Sequence, residues 1–223
     1  MTRPVALVTG ASRGIGLAIA RELGSTHHVL VGGRDATAVH EVVDALPSAA
    51  PFVADLTDEA ALTACCAEID RLDVLVHSAG QVAFGPLAES STAQWRAVLE
   101  LNVIAPTTLT RLLLPGLRAS RGLVIFVNSG AGLQTWAGFS AYSASKYALT
   151  ALADALRAEE RGTVRVTSLH PGRVATDMQV ELSALQGRPY RAADYLDPAE
   201  VARAVRLAVE LAPGASAESI RLS

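Results

Sequence analysis

Seven short strand-like runs, each separated from the next by a segment of helical periodicity, constrain this chain more than any other feature. They fall at 5–8, 29–31, 51–54, 74–76, 123–127, 164–169 and 219–222. Short, mostly apolar strands that alternate with helices fit a mostly parallel sheet covered on both faces and joined by right-handed crossovers. Helix signals fill the gaps. An Ala-rich pattern runs to Leu23, and a second helix over 36–46 stops near Pro47. Thr57 caps a third that runs to Ile69. Ser91-Thr92-Ala93-Gln94 is a capping box, and Pro106 bends or restarts the helix it opens. A long helix covers 140–160. Asp197-Pro198-Ala199-Glu200 opens the last one, which reaches Leu211 before Pro213-Gly214 breaks it. No repeat, linker or shift in composition divides the 223 residues, so 1–223 is expected to form one domain.

The first run feeds a glycine-rich turn. Gly10, Gly14 and Gly16 are spaced G-x-x-x-G-x-G, with Ser12, Arg13 and Ile15 between them, and a helix follows at once. Such a turn aims backbone N–H groups and the positive end of a helix at a phosphate. The second run ends in Gly32-Gly33 and then Arg34-Asp35, where NAD-binding sheets commonly place an acidic residue on the ribose. Arg13 and Arg34 together suit a 2′-phosphate, because guanidinium grips phosphate in a planar fork. The reading is NADP(H). NAD(H) is the alternative if Asp35 takes the ribose instead of capping the next helix. Asp55 either accepts from an adenine amino group or is a turn aspartate. After the fourth run, His77-Ser78-Ala79-Gly80 brings small residues that let the chain pass close to a bound cofactor. His77 has no partner carboxylate beside it and stays outside the chemistry.

Ser129 follows the most strand-like run, 123–127, at the carboxyl edge where open parallel sheets bind ligands. Tyr142 comes thirteen residues later and Lys146 four after that. If Ser140 opens a helix, Tyr142 and Lys146 lie one turn apart on the same face. An ammonium beside a phenol favours the phenolate and lowers a pKa that starts at about 10. A phenol tuned in that way passes a proton to or from a substrate oxygen, which the Ser129 hydroxyl can also hydrogen-bond. Asn102, in an otherwise apolar stretch, needs partners. It supports backbone geometry or holds a water in a proton path.

Composition excludes several classes. A net charge of −3 gives no sign of a nucleic-acid partner. No long uncharged apolar run is present to span a membrane, and the N-terminal residues lack a signal-peptide pattern. Cys65 and Cys66 are adjacent in a helical segment and point apart, so neither a disulfide nor a metal pair is expected. A reducing cytoplasm is the default location.

With these residues assembled, the chain resembles the short-chain dehydrogenase/reductase family from end to end. The resemblance is carried by T-G-A-S-R-G-I-G at 9–16, D-L at 55–56, S-A-G at 78–80, Asn102, Ser129, Y-S-A-S-K at 142–146 and P-G at 171–172, in matching order and spacing. It implies an α/β Rossmann fold, doubly wound, with a mostly parallel seven-stranded sheet. It implies hydride transfer between NADP(H) and a small-molecule carbonyl or secondary alcohol. Tyr142 would be the acid/base. Lys146 would lower its pKa and hold the nicotinamide ribose, Ser129 would orient the carbonyl, and Asn102 would hold a water linking Lys146 to solvent. Gly10, Ser12, Arg13, Gly14, Ile15 and Gly16 would cradle the phosphates and adenosine ribose. Asp55 and Leu56 would contact the adenine, and Ala79 and Gly80 would pack on the cofactor. Pro171, Gly172, Val174 and Thr176 would contact the nicotinamide end. The pairing of Arg13 with Arg34 is similar to NADP-preferring members. Segment 176–196 would be a substrate lid, and helices near 91–118 and 140–160 would build a homodimer or homotetramer.

Two departures stand out. His77-Ser78 occupies the place of the family's usual pair of asparagines, and Asn128-Ser129 stands where two serines are common. Alternatives on the same fold are an NAD-dependent dehydrogenase, a non-catalytic NAD(P)-sensing regulator, and an isomerase or epimerase that keeps NAD bound. The regulator would be marked by a damaged catalytic set, and the isomerase by a larger substrate region than this compact lid. Phe84, Leu133, Trp136, Phe139, Met178 and Tyr190 are candidates for an apolar pocket and equally for the core.

Overall fold

The computed structural model describes residues 3–212 and 214–223. Met1, Thr2 and Pro213, the last expected to break the final helix, lie outside the described residues. Seven strands form one sheet: β1 (Val5–Val8), β2 (His28–Gly33), β3 (Ala49–Val53), β4 (Val74–His77), β5 (Leu123–Val127), β6 (Arg165–Pro171) and β7 (Ser219–Leu222). Their order is β3-β2-β1-β4-β5-β6-β7, and every pairing is parallel. The helices are α1 (Gly14–Gly24), α2 (Ala36–Asp44), α3 (Glu59–Cys66), α4 (Thr92–Leu99), α5 (Ala105–Ser120), α6 (Ser140–Glu159), α7 (Asp177–Leu185) and α8 (Pro198–Glu210).

The sheet divides its own side chains between two cores. On one face Ala6, Val8, Leu123, Ile125 and Val127 pack with Ile19 and Leu23 of α1 and Val201 and Val205 of α8. On the other, Leu7, Val124 and Phe126 meet Leu62 of α3, Leu109, Leu113 and Leu117 of α5, and Leu149 of α6. This is the strand period of two read against helices on both faces. Each fully buried leucine contributes roughly 1.5–3 kcal/mol.

Local signals set most element ends. The Asp35 side chain accepts from the Thr37 and Ala38 amides and caps α2. Ser91 and Gln94 close both bonds of the capping box. Asp197 caps α8, with Pro198 in its first turn. Several boundaries differ from expectation. The cap of α3 is Asp58, not Thr57, because Thr57 is turned back onto Asp55; α3 also ends at Cys66. Helix α2 ends at Asp44. Strand β6 continues through His170 and Pro171. The amides of Ser168 and Gly172 face β7, so the amide that Pro171 lacks would face β5, whose pairing has already stopped at Leu169.

Pro106 stands in the first turn of α5, where the regular helix resumes after a distortion. A π-turn over Glu100–Ile104 joins α4 to α5, and the Ala105 amide reaches back five residues to the Glu100 carbonyl. The whole, Thr92–Ser120, is 29 residues long and apolar enough by length and composition to cross a membrane. Arg96, Glu100, Arg111 and Arg118 interrupt it, Arg111 pairs with Glu59 at 2.6 Å, and the face carrying Leu109, Leu113 and Leu117 is buried against the sheet.

Candidate active site

The sequence motifs converge on the carboxyl edge of the sheet. Chain order reverses between β1 and β4, which makes a crevice at that point. Gly10 follows β1 with a φ of 63°, in the left-handed region that favours glycine. A Cβ on Gly10 would lie 2.9 Å from the Ala79 Cα, and one on Gly16 would overlap the Gly10 carbonyl. The turn and the loop after β4 therefore lie backbone to backbone. Among the described residues, no side chain caps the start of α1 and no acidic residue stands in its first turn, so its first amides are available to an anion. Ile15 packs against the α1-side core, and the Ser12 side chain lies beside Gly33. Arg13 and Arg34 are both exposed at this edge. These features fit the pyrophosphate and ribose of a dinucleotide.

The flanking residues are placed less uniformly. One oxygen of Asp35 takes both capping bonds of α2. Asp55 Oδ1 accepts from the Thr57 amide at 2.9 Å and hydroxyl at 2.8 Å. These bonds, helped by the nearby Arg34 charge, hold the Asp55 carboxyl below its ordinary range. Asp55 is thus a turn aspartate in its bonding, and Leu56 packs against the α3-side core. Pro171 is buried, and the Gly172 amide donates to the Leu222 carbonyl at 2.8 Å. Val174 bridges to Leu196. Thr176 stands at the start of α7, with its methyl 3.3 Å from where a Cβ on Gly14 would sit. Arg13 lies 3.6 Å from Asp177, an exposed pair.

Ser140 opens α6, and Tyr142 and Lys146 share one face of it: Lys146 Nζ is 5.8 Å from the Tyr142 ring centroid. Lys146 is buried and donates to the Val127 carbonyl at 3.0 Å. Burial pushes its ammonium down to about 8. Tyr142 departs from expectation. Burial raises its pKa, and the Ser129 hydroxyl beside it pulls the other way. The Lys146 ammonium is turned to the Val127 carbonyl at the end of β5 and lies over the ring. Ser129 leaves β5 in extended conformation, and its Oγ accepts from the Ala131 amide at 3.1 Å, which leaves the hydroxyl proton for another acceptor.

Asn102 lies in the π-turn, a distortion often found at functional sites. Its Oδ1 accepts from the Gln81 amide at 2.9 Å, and its Nδ2 donates to the Gln81 carbonyl at 2.9 Å and to Ser145 Oγ at 3.0 Å. The side chain ties the loop after β4 to α6, which is the backbone-support reading of this residue. Gly80 is held close by the same contact: a Cβ there would lie 3.2 Å from Asn102 Oδ1.

His77 is buried, stacked on Phe126 at 5.0 Å, and bonded through Nε2 to the Thr110 hydroxyl at 2.8 Å; burial holds its pKa down at about 3. It is a structural side chain that locks β4 to α5. Thr9, noted in the sequence only as the first residue of the 9–16 motif and given no role there, accepts from the Ser78 and Ala79 amides at 3.0 and 3.1 Å and so fixes the loop that faces the glycine turn. A threonine at a strand end is too common a signal to have found it. Beside Tyr142, a cleft of about 160 Å³ is lined by Phe84, Gly85, Pro86, Gly138, Ser140 and Ala141 among others. Phe84 packs on Phe139, and Phe139 on Tyr142. Leu133, Trp136 and Met178 are exposed, and Tyr190 stacks on Tyr195.

Residues 4–187 match the family model of the short chain dehydrogenase. A short-chain type dehydrogenase/reductase of Sinorhizobium fredii is 36% identical over 214 residues, covering 93% of this chain and 86% of that protein. A glycine betaine reductase of Emericella nidulans is 34% identical over 217 residues, 90% of this chain, but the chain spans only 17% of that protein's length. The solved structure of an alcohol dehydrogenase from Thermococcus sibiricus, complexed with 5-hydroxy-NADP, superposes with a TM-score of 0.90 at 26% identity, covering 99% of this chain and 96% of that one.

Proposed function

The chain belongs to the short-chain dehydrogenase/reductase family, and from that membership we propose that it is one NADP(H)-dependent catalytic domain acting between a carbonyl and the corresponding secondary alcohol. When bound, the nicotinamide supplies or takes up the hydride. The chain supplies position and the proton. The observation that carries this reading is the meeting of Ser129, Tyr142 and Lys146 at the carboxyl edge of β5, facing the glycine turn across the switch point.

Ser129 would donate its hydroxyl proton to the substrate oxygen and so orient the carbonyl. Tyr142, kept protonated by burial, would give its proton to that oxygen during reduction. Lys146 has one of its three donors on Val127 and would hold the nicotinamide ribose hydroxyls with the others. Asn102 would hold the relay water through its main-chain carbonyl. Its side chain is committed to Gln81 and Ser145, and the helical donor to that carbonyl would be residue 106, a proline without an N–H.

Arg13 and Arg34 support NADP(H) over NAD(H), as does the use of Asp35 as a helix cap. The 5-hydroxy-NADP of the Thermococcus sibiricus structure points the same way. Exposed Ile104 and Tyr147, on the fused helix and α6, support a homodimer or homotetramer, and a cytoplasmic location completes the proposal. The test is NADPH oxidation with a panel of aldehydes and ketones. Tyr142→Phe should cut turnover by roughly 10²–10⁴-fold while NADPH still binds. Full activity in that variant would sink the mechanism.

A further inference from the structure

We propose that His170 is a positioning residue for Ser129: its imidazole Nδ1–H holds the Ser129 main-chain carbonyl and thereby sets the direction of the Ser129 hydroxyl. The inference rests on the role proposed for Ser129. Pairing of β5 with β6 ends at Val127 and Leu169, and the Asn128 amide adds one more bond to the Leu169 carbonyl at 2.7 Å. Beyond that point the sheet has no grip on the chain, and Ser129 enters a short helical turn. The Ser129 carbonyl then accepts from the Gly132 amide at 3.0 Å and from His170 Nδ1 at 3.1 Å. The histidine side chain extends the hold of β6 one step past the end of the ladder.

A carbonyl only accepts, so the proton must sit on Nδ1. His170 is buried, and burial keeps its pKa below the ordinary value. Of the groups around it, Lys146 and Arg221 push the same way, while Asp154 and the Ser129 bond oppose. The ring is therefore neutral at pH 7, with Nε2 unprotonated. On the other flank, Asn128 Nδ2 donates to Thr150 Oγ1 at 2.9 Å and ties the same dipeptide to α6, which carries Tyr142 and Lys146. Ser129 is thus braced from β6 and from α6 at once.

The test compares wild type, His170→Asn, His170→Leu and Ser129→Ala. Asn keeps an N–H where Nδ1 stands; Leu removes it. Three readouts are taken: the Tyr142 phenolate titration, as the difference between each protein and the same protein carrying Tyr142→Phe; kcat and the KM for NADPH with phenanthrenequinone as carbonyl probe; and the His170 tautomer by nitrogen NMR in the wild type. His170→Leu should lower kcat about tenfold with the NADPH KM unchanged, and should move the Tyr142 titration as Ser129→Ala does. His170→Asn should stay within about threefold of wild type. Equal losses in the two His170 variants overturn the proposal, as does His170→Leu behaving as wild type. If His170→Leu does not fold, the tautomer decides: Nδ1–H supports the proposal and Nε2–H overturns it. If the wild type reduces no carbonyl, the proposed function fails, while the phenolate titration and the tautomer still judge His170.

Discussion

Replacing Lys146 by Met exchanges a buried ammonium for an apolar side chain of similar length. Burial has displaced the Lys146 pKa from 10.5 to about 8, so the charged form is held at an unfavourable site. That displacement corresponds to roughly 3 kcal/mol at pH 7, where the group is protonated in both folded and unfolded chains. Against it stands the bond to the Val127 carbonyl, whose loss costs about 1–3 kcal/mol. The net expectation for Lys146→Met is a gain of about 1 kcal/mol, or a Tm higher by roughly 2–4 °C, in a protein that has lost activity. The pH dependence carries the sharper sign. The folded value lies below the unfolded one, so between about pH 8 and 10.5 unfolding takes up a proton. Wild-type stability from this group rises with pH across that window by roughly 3 kcal/mol, so the advantage of the variant passes through zero and becomes a deficit of about 1–3 kcal/mol, the lost bond alone. Thermal and urea unfolding of both proteins at pH 7 and above pH 10 would measure it. A variant less stable at pH 7, or an advantage that does not change with pH, would refute the claim that this lysine is held at a cost to the fold.

Two further outcomes are expected. Arg13→Ala and Arg34→Ala should each weaken NADPH about tenfold or more by calorimetry while leaving NADH nearly unchanged; equal losses for both cofactors would place the arginines on shared groups instead. NADPH-dependent reduction should decline as pH rises through about 8, where Lys146 loses its charge, and a rate profile flat through that range would contradict the role given to the ammonium.

The parts of this molecule that were legible in its sequence are those whose physics is local. The Ser91–Gln94 box, the Asp197–Pro198 start and the Tyr142–Lys146 spacing each depend on residues within one helical turn, and each stands as read. The glycine turn was legible because a positive φ at Gly10 and the backbone contact at Gly16 demand glycine wherever the chain runs. Thr57 and Asp58 show where local reading fails: two adjacent capping residues compete, and Asp55 decides between them by drawing Thr57 back. The direction of the Tyr142 pKa was hidden for another reason. Spacing places the ammonium near the ring, but burial, opposed by the Ser129 hydroxyl and set by tertiary packing, gives the direction. The partners of Asn102 and His170 lie 21 and 41 residues away along the chain, and no periodicity announces them.

The π-turn at Glu100–Ile104 has a consequence for what this chain tolerates. A helix advances 100° per residue, so the extra residue in that turn sets α4 and α5 out of phase by about that angle. Asn102 meets Gln81 and the leucines at 109, 113 and 117 meet the sheet only while that offset holds. Removing one residue between 100 and 104 would take the extra residue out of the turn and rotate one end of the helix against the other. Either the leucine stripe would swing out of the core or Asn102 would let go of the loop after β4. The helix can therefore accept many changes of residue type on its exposed side, but not a change in its count.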